Sequence, residues 1–250
     1  MTDISYEIDN DGVAVVTWDL KDRSMNVLNF NSLGEYGETI KKLISDDSVK
    51  GIVLASAKEA FIAGADLTSS EVFGFDQKDA DKIKTAEKIY NGTMEMQNLF
   101  RSMETAGKPF VAAINGHALG GGFEICLACH YRVAIDDDKI QIGQPEAKVG
   151  LIPGAGGTQR VPRLAGITQE IMGFLMAGTP LTPKKAMSSG LIHEVTDKEN
   201  LIEAAKKYIV DGGKALQPWD EKGFNEYVKL RFSRCLGPCS MHNVSLLRYD

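Results

Sequence analysis

Apolar and polar positions alternate with period two where the chain begins. Ile4-Ser5-Tyr6-Glu7-Ile8 and Val13-Ala14-Val15-Val16-Thr17-Trp18 flank the turn signal Asp9-Asn10-Asp11-Gly12 and predict a β-hairpin. The period then lengthens: Leu33, Tyr36, Ile40 and Leu43 recur at helical spacing, with Asn31 or Ser32 as the expected N-cap. Val49-Lys50-Gly51-Ile52-Val53-Leu54-Ala55 reads as a buried strand. It runs into the small-residue loop Phe61-Ile62-Ala63-Gly64-Ala65-Asp66-Leu67.

A long helix is predicted from about Asp79 to Glu104, with Ile83, Ile89, Met96, Leu99 and Met103 on its apolar face and Lys108-Pro109 as its stop. Phe110-Val111-Ala112-Ala113-Ile114 has no polar residue, as expected of a strand covered on both faces. A glycine triplet follows, and a helix is expected from near Phe123 into the strand Tyr131 to Ile135. Strand, small-residue loop and helix thus occur in the same order twice, and more loosely again after Ile140-Gln141-Ile142. Stacked ββα units are the expectation, without a strict sequence period.

From Pro162 onward the pattern is mainly helical. Thr182 is an N-cap with Pro183 at the first helical position, Leu191 to Val195 is a short strand, and Glu199 to Ile209 is a further helix. After Asp211 the chain reads as irregular.

Composition narrows the classes. The 250 residues are 43% hydrophobic and 25% charged, which suits a soluble chain with a sizeable core. A net charge of −6 argues against nucleic acid as the main partner. No stretch has the length and apolarity of a membrane span, and the first residues lack the look of a signal peptide. The four cysteines are expected to be reduced thiols in a cytoplasm. Cys126-Leu127-Ala128-Cys129-His130 fits a haem-attachment pattern, but a helix running into a strand is the preferred reading.

Two stretches bear on chemistry. Gly120-Gly121-Gly122-Phe123-Glu124 joins a buried strand to a helix. Its glycines let backbone approach a ligand, and the amides at a helix start lack intrahelical acceptors. Gly143-Gln144-Pro145-Glu146 sets a second carboxylate after a strand and a rigid turn. Alone, Glu124 would ordinarily be a dipole-stabilising surface group and Glu146 a loop carboxylate. Their joint occurrence with the amide-rich turn Ala63-Gly64-Ala65-Asp66 points further. Amides from separate loops could polarise a carbonyl while two carboxylates divide acid and base roles. Phosphate-loop, dinucleotide-binding and nucleophile-elbow motifs are absent. His117 is expected to pack, Lys41-Lys42 and Lys184-Lys185 to be solvated, and Met94, Met96 and Met103 to fill core.

The loop Phe61 to Leu67, the stretch Asn115 to Glu124, Gln144-Pro145-Glu146 and Pro153-Gly154-Ala155-Gly156-Gly157-Thr158-Gln159-Arg160 together resemble the crotonase (enoyl-CoA hydratase/isomerase) superfamily, over about Ile4 to Lys207. The resemblance implies an α/β fold: a crotonase-like spiral of repeated ββα units over residues 4–195, and a C-terminal helical region over 196–250. That region is expected to lack part of what covers the acyl site and builds trimers in the family. Gln217 to Phe224 is similar to the segment after the hydratase domain of bifunctional fatty-acid oxidation proteins.

The resemblance further implies an acyl-CoA substrate, with CoA entering as part of it and no metal or redox cofactor. It implies backbone N–H groups of Ala65 and Gly121 as the oxyanion hole, and Glu124 and Glu146 as the catalytic pair. Gly154 would lie by the catalytic water, and Ala63, Asp66 and Leu67 would border the CoA. Retention of both glutamates favours hydration of a trans-2-enoyl-CoA, as in fatty-acid β-oxidation. An enoyl-CoA isomerase, an acyl-CoA hydrolase and a non-catalytic acyl-CoA-binding module stand as alternatives. A homo-oligomer, trimer or hexamer, is expected if the C-terminal region suffices. Two departures stand out. The Glu124-to-Glu146 interval is 22 residues, about two longer than in typical hydratases, with the excess expected in Asp136-Asp137-Asp138. Thr68 stands where a lysine near the CoA phosphates is common.

Overall fold

The computed structural model describes residues 2–66 and 82–224. Leu67, Thr68, the expected helix start at Asp79 and the tail beyond Phe224 lie outside the described residues.

The hairpin signal folds as predicted. Strand β1 (Ile4–Ile8) pairs antiparallel with β2 (Val13–Trp18) around the Asp9 turn. From β2 onward the main sheet is parallel. β3 (Gly51–Ser56), β4 (Phe110–Ile114), β6 (Tyr131–Ile135) and β8 (Glu194–Thr196) complete the order β1-β2-β3-β4-β6-β8. Every residue of β4 is buried, as its unbroken apolar run requires.

A second layer is built from short segments that follow each main strand. Leu28 bridges Ala65, Ile62 bridges Ala118, and Ile142 bridges Leu181. Between them, β5 (Ala118–Leu119) pairs in parallel with β7 (Ile142–Gly143). Each pass of the chain thus lays a main strand, a second-layer segment and then a helix. This is the spiral of ββα units.

Helix α1 (Phe30–Ser45) buries Tyr36, Ile40 and Leu43, with Tyr36 against Trp18 of β2 at 5.2 Å between ring centroids. Full burial of such side chains stabilises by roughly 1.5–3 kcal/mol each. Its N-cap is Asn29, not Asn31 or Ser32: the Asn29 side chain accepts from the Ser32 N–H at 2.8 Å, and the Ser32 hydroxyl accepts from the Asn29 N–H. Helix α2 (Lys82–Glu104) is packed toward its C-terminal end, where Phe100 and Met103 are buried. Ile83 departs from the expected apolar face. It is 72% exposed, on the first turn of a helix whose packed length lies further along.

Helix α3 (Gly121–Ala128) begins two residues earlier than expected. Gly122 packs so closely on the second layer that a Cβ there would collide with the Ile62 carbonyl. The poor helix propensity of glycine hides this start in the sequence. The C-terminal end of α3 carries the buried Arg132 of β6. Its Nη1 donates to the carbonyls of Cys129 at 2.5 Å and Cys126 at 3.3 Å, a cation at the negative end of the helix. Burial pushes the Arg132 guanidinium down to about 10. Cys126 and Cys129 are buried thiols of this helix, and His130 accepts from the Phe110 N–H.

Four more helices follow: α4 (Gly157–Ala165), α5 (Gln169–Met176), α6 (Pro183–Ser188) and α7 (Leu201–Val210). Thr182 and Pro183 occupy the N-cap and first helical positions, as expected. Helix α7 packs on β3, β4 and β6 of the main sheet. A short 3-10 turn, Pro218–Asp220, follows.

Candidate active site

The second layer brings the glycine loop, the Ala63–Asp66 turn and the Gln144–Glu146 turn side by side. The Leu119 N–H donates to the Ile62 carbonyl at 3.1 Å, and the Gly120 N–H to the Gly143 carbonyl at 2.8 Å. Gly120 has φ +53° and ψ −131°, a conformation that disfavours side chains. A Cβ placed on it would lie 3.0 Å from Glu146 Oε1 and 3.8 Å from Gly64 Cα. One small volume therefore meets all three loops.

Glu124 sits in the first turn of α3 and is 2% exposed. Its Oε1 accepts from the N–H groups of Ala155 at 2.8 Å and Gly157 at 2.7 Å. Burial raises its carboxyl to about 7. The two backbone donors and Arg160 pull against that rise, and neighbouring Glu146 adds to it. Glu146 follows Pro145 at the start of a 3-10 turn, Pro145–Val149. Burial raises its carboxyl as well, and its Oε2 is buried with no hydrogen-bond partner among the described residues. The structure thus joins two carboxylates that the sequence separates by 22 positions, in environments that differ.

The expected amide donors lie at the same junction. The Asp66 N–H donates to Leu28 O at 2.9 Å and the Leu28 N–H to Gly64 O at 2.8 Å, so the Ala65 N–H between them points away from that bridge. Gly121 is the first residue of α3, where no intrahelical acceptor exists. Among the described residues neither N–H finds an acceptor. Leu28 walls the junction: a Cβ on Gly121 would come within 2.8 Å of its Cδ1.

The remaining expected residues distribute as follows. The Ala63 N–H donates to Asn26 O, and buried Asp66 accepts from Arg23 Nη2 at 2.6 Å. Gly154 is exposed on the loop before Ala155, and its carbonyl accepts from Gln97 Nε2 of α2 at 2.7 Å. Leu67 lies outside the described residues. His117 packs, with Nδ1 accepting from the Gln141 N–H and its carbonyl accepting from Phe61 and Ile62.

Several residues escaped the sequence reading. Buried Asn26 ties Trp18, Ser56 and Phe61 together beneath the Ala63 turn. Buried Gln144 lies against Gly157 with both amide atoms unpartnered among the described residues. Arg160 and Glu104 stand behind the loop that holds Glu124. Gln144 and Arg160 stand within the stretches that carry the family resemblance, but their contacts, such as that of Arg160 with Glu104, are not written in the local pattern.

Comparison with known proteins agrees with this architecture. Residues 9–212 match the family described as enoyl-CoA hydratase/isomerase. The fatty acid oxidation complex subunit alpha of Shewanella frigidimarina (strain NCIMB 400) is 37% identical over 221 residues, 88% of this chain and 30% of that protein. The protein of the same name from Idiomarina loihiensis is 40% identical over 207 residues, 82% of this chain and 28% of that one. The chain therefore spans about 30% of the length of these curated relatives. Among solved structures, an enoyl-CoA hydratase from Bacillus anthracis superposes with a TM-score of 0.72 at 27% identity, covering 86% of this chain and 78% of that one. An enoyl-CoA hydratase from Bacillus halodurans gives a TM-score of 0.72 at 28% identity, covering 86% and 82%. With a crotonase-type fold and a family match over most of its length, the chain belongs to the enoyl-CoA hydratase/isomerase family.

Proposed function

We propose that this chain catalyses the reversible syn addition of water to a trans-2-enoyl-CoA, giving a 3-hydroxyacyl-CoA. The observation that carries the reading is the meeting of Glu124 and Glu146 beside two unengaged backbone N–H groups. The thioester carbonyl would accept from Ala65 and Gly121. Negative charge moving onto that oxygen would then be stabilised by fixed donors.

Glu124 would hold the water and take one of its protons as the oxygen attacks C3. The partial negative charge at the thioester would build up as an enolate. Glu146 would deliver its proton to C2, so that one H and one OH are added overall. The two N–H groups on Glu124 Oε1 leave its other oxygen for the water. The pair would titrate as a unit, since each senses the other's charge. The chemistry so drawn requires neither a metal nor a redox group.

Two relatives' names bear on the choice, both containing the words fatty acid oxidation complex. Proton shuttling between C2 and C4 by one glutamate would make the same site an isomerase. Attack of the water on the thioester carbon would make it a hydrolase. Incubation with crotonyl-CoA separates these readings. Loss of the enoyl-thioester absorbance without release of free thiol supports hydration. Release of thiol would assign hydrolysis, and binding without turnover of 2- or 3-enoyl thioesters would leave a binding module.

A further inference from the structure

Behind the carboxylate pair runs a chain of charges that the proposed chemistry does not use. Arg160 of α4 donates from Nε to Glu104 Oε1 at 2.6 Å and from Nη1 to the Ala155 carbonyl at 2.8 Å. Glu104, buried at the end of α2, accepts from Arg101 Nη1 at 2.8 Å through its other oxygen. Arg101 in turn grips Asp220 with both Nη atoms, at 2.8 and 2.7 Å. Asp220 belongs to the segment beyond α7. Among the described residues, this chain joins that segment to α2 and α4.

Its inner end meets the site at one residue. Ala155 gives its carbonyl to Arg160 and its N–H to Glu124. Gly156, at φ +102°, leaves the space that the Arg160 guanidinium fills. The grip thus fixes the turn in which the Ala155 and Gly157 N–H groups converge on a single oxygen.

We propose that Arg160, locked in place by Glu104, is a positioning residue for the Glu124 carboxylate, and that Arg101 and Asp220 tie this device to the C-terminal segment. The role in turnover rests on reading Glu124 as the group that activates water. Two physical effects act in the same direction. Arg160 orders the two donors on Glu124 Oε1, and its cation favours the ionised form from behind them. A planar guanidinium serves a carboxylate and a carbonyl at once from donors held in a fixed fork, whereas an ammonium donates from a single nitrogen on a flexible stem. The charged groups facing Glu124 are Glu146 from the 3-10 turn and Arg160 from α4, with Glu104 and Arg101 of α2 behind them. Arg132 and His130 lie at the far end of α3.

The test compares the wild-type chain with Arg160→Gln and Arg160→Lys. The carboxyl titration of Glu124 is followed by 13C NMR with side-chain-labelled glutamate, assigned by the Glu124→Gln variant. Arg160→Gln should raise the Glu124 midpoint by about one pH unit. It should lower kcat for crotonyl-CoA roughly 10- to 100-fold with little change in KM, since the turn and not the CoA contacts is disturbed. Arg160→Lys should recover part of the midpoint shift and less of the rate. A folded Arg160→Gln with an unmoved midpoint overturns the proposal, whatever reaction the site performs. If instead Glu124→Gln turns over normally, the assigned reaction fails while the midpoint still decides the positioning role. Should Arg160→Gln not fold, Arg101→Met replaces it: loss of that cation leaves Glu104 less compensated, so the midpoint should again rise, and no movement overturns the proposal.

Discussion

Gln217 places its Nε2 3.0 Å from the Ala128 carbonyl, at the last residue of the helix that carries Glu124 in its first turn. The same nitrogen lies 3.1 Å from the Cys129 carbonyl, and the side chain is 1% exposed. A residue beyond α7 therefore caps the very helix whose other end builds the site. Gln217→Ala should leave the Ala128 carbonyl buried without a donor, because nearby Arg132 donates to the Cys126, Cys129 and Leu191 carbonyls and not to it. Such an orphan costs about 1–3 kcal/mol. Urea denaturation should show the free energy of unfolding falling by that amount, read as a lower midpoint at unchanged slope. An unshifted midpoint would mean that water or another donor replaces the amide.

That contact also shows what local pattern can reveal and what it cannot. Strands Ile4–Ile8, Val13–Trp18, Phe110–Ile114 and Tyr131–Ile135 follow the sequence to the residue. Each is bounded by turn residues and carries its own alternation or unbroken apolar run. Asn29 was missed as a cap because Asn29-Phe30-Asn31-Ser32 offers three capping side chains within four positions. Only the reciprocal bond with Ser32 selects among them. The two glutamates were legible as candidates through the glycines and the proline beside them. Glu104, Arg160 and Asp220 were not. Their partners lie 56 and 119 positions away, between Arg160 and Glu104 and between Arg101 and Asp220. The segment after Asp211 reads as irregular in the sequence. Over residues 212–224 it is mostly irregular, yet Gln217 and Asp220 reach the two helices that frame the site.

Replacing either carboxylate should separate chemistry from binding. Glu124→Gln and Glu146→Gln are each expected to lower kcat for crotonyl-CoA by about 100-fold or more, the usual size of acid–base catalysis. Affinity for a saturated acyl-CoA, measured by calorimetry, should change little. Near-normal turnover in one variant would remove that residue from the proton transfers. Combining the two changes should cost far less than the product of the single losses, since the pair acts on one water and one enolate.

The Gly121 N–H can be deleted with little disturbance of the helix. Gly121 is the first helical position of α3, a place that proline tolerates and where the amide has no intrahelical acceptor. Leu28 Cδ1 must shift to admit the ring, as the tip of a flexible side chain can. Gly121→Pro should reduce kcat by roughly 10²–10³-fold if this amide faces the oxyanion. Circular dichroism should report an intact fold. A folded variant with full activity would exclude this donor.

The burial of Glu124 should register in stability as well as in rate. Its folded value of about 7 lies above the 4.5 of an ordinary glutamate. Below about pH 4.5 the carboxyl is protonated in both states and contributes no pH dependence. Between about 4.5 and 7 the folded state binds more protons than the unfolded state, so stability falls as pH rises. Above about 7 the full cost of the buried charge is present, on the order of 3 kcal/mol. Glu124→Gln removes the titration while leaving an oxygen that can accept from Ala155 and Gly157. The stability of the variant relative to wild type should therefore improve by up to that amount between pH 5 and pH 8. The difference between the two proteins cancels the titrating groups that do not interact with Glu124, while Glu146, which does, contributes to it. In the rate, an ionised Glu124 is needed to take a proton from water and a protonated Glu146 to give one. kcat/KM should then climb as pH rises through about 7, where Glu124 ionises. A stability difference that is flat from pH 5 to pH 8 would show that Glu124 is already ionised at the acid end, and that the two N–H donors outweigh its burial.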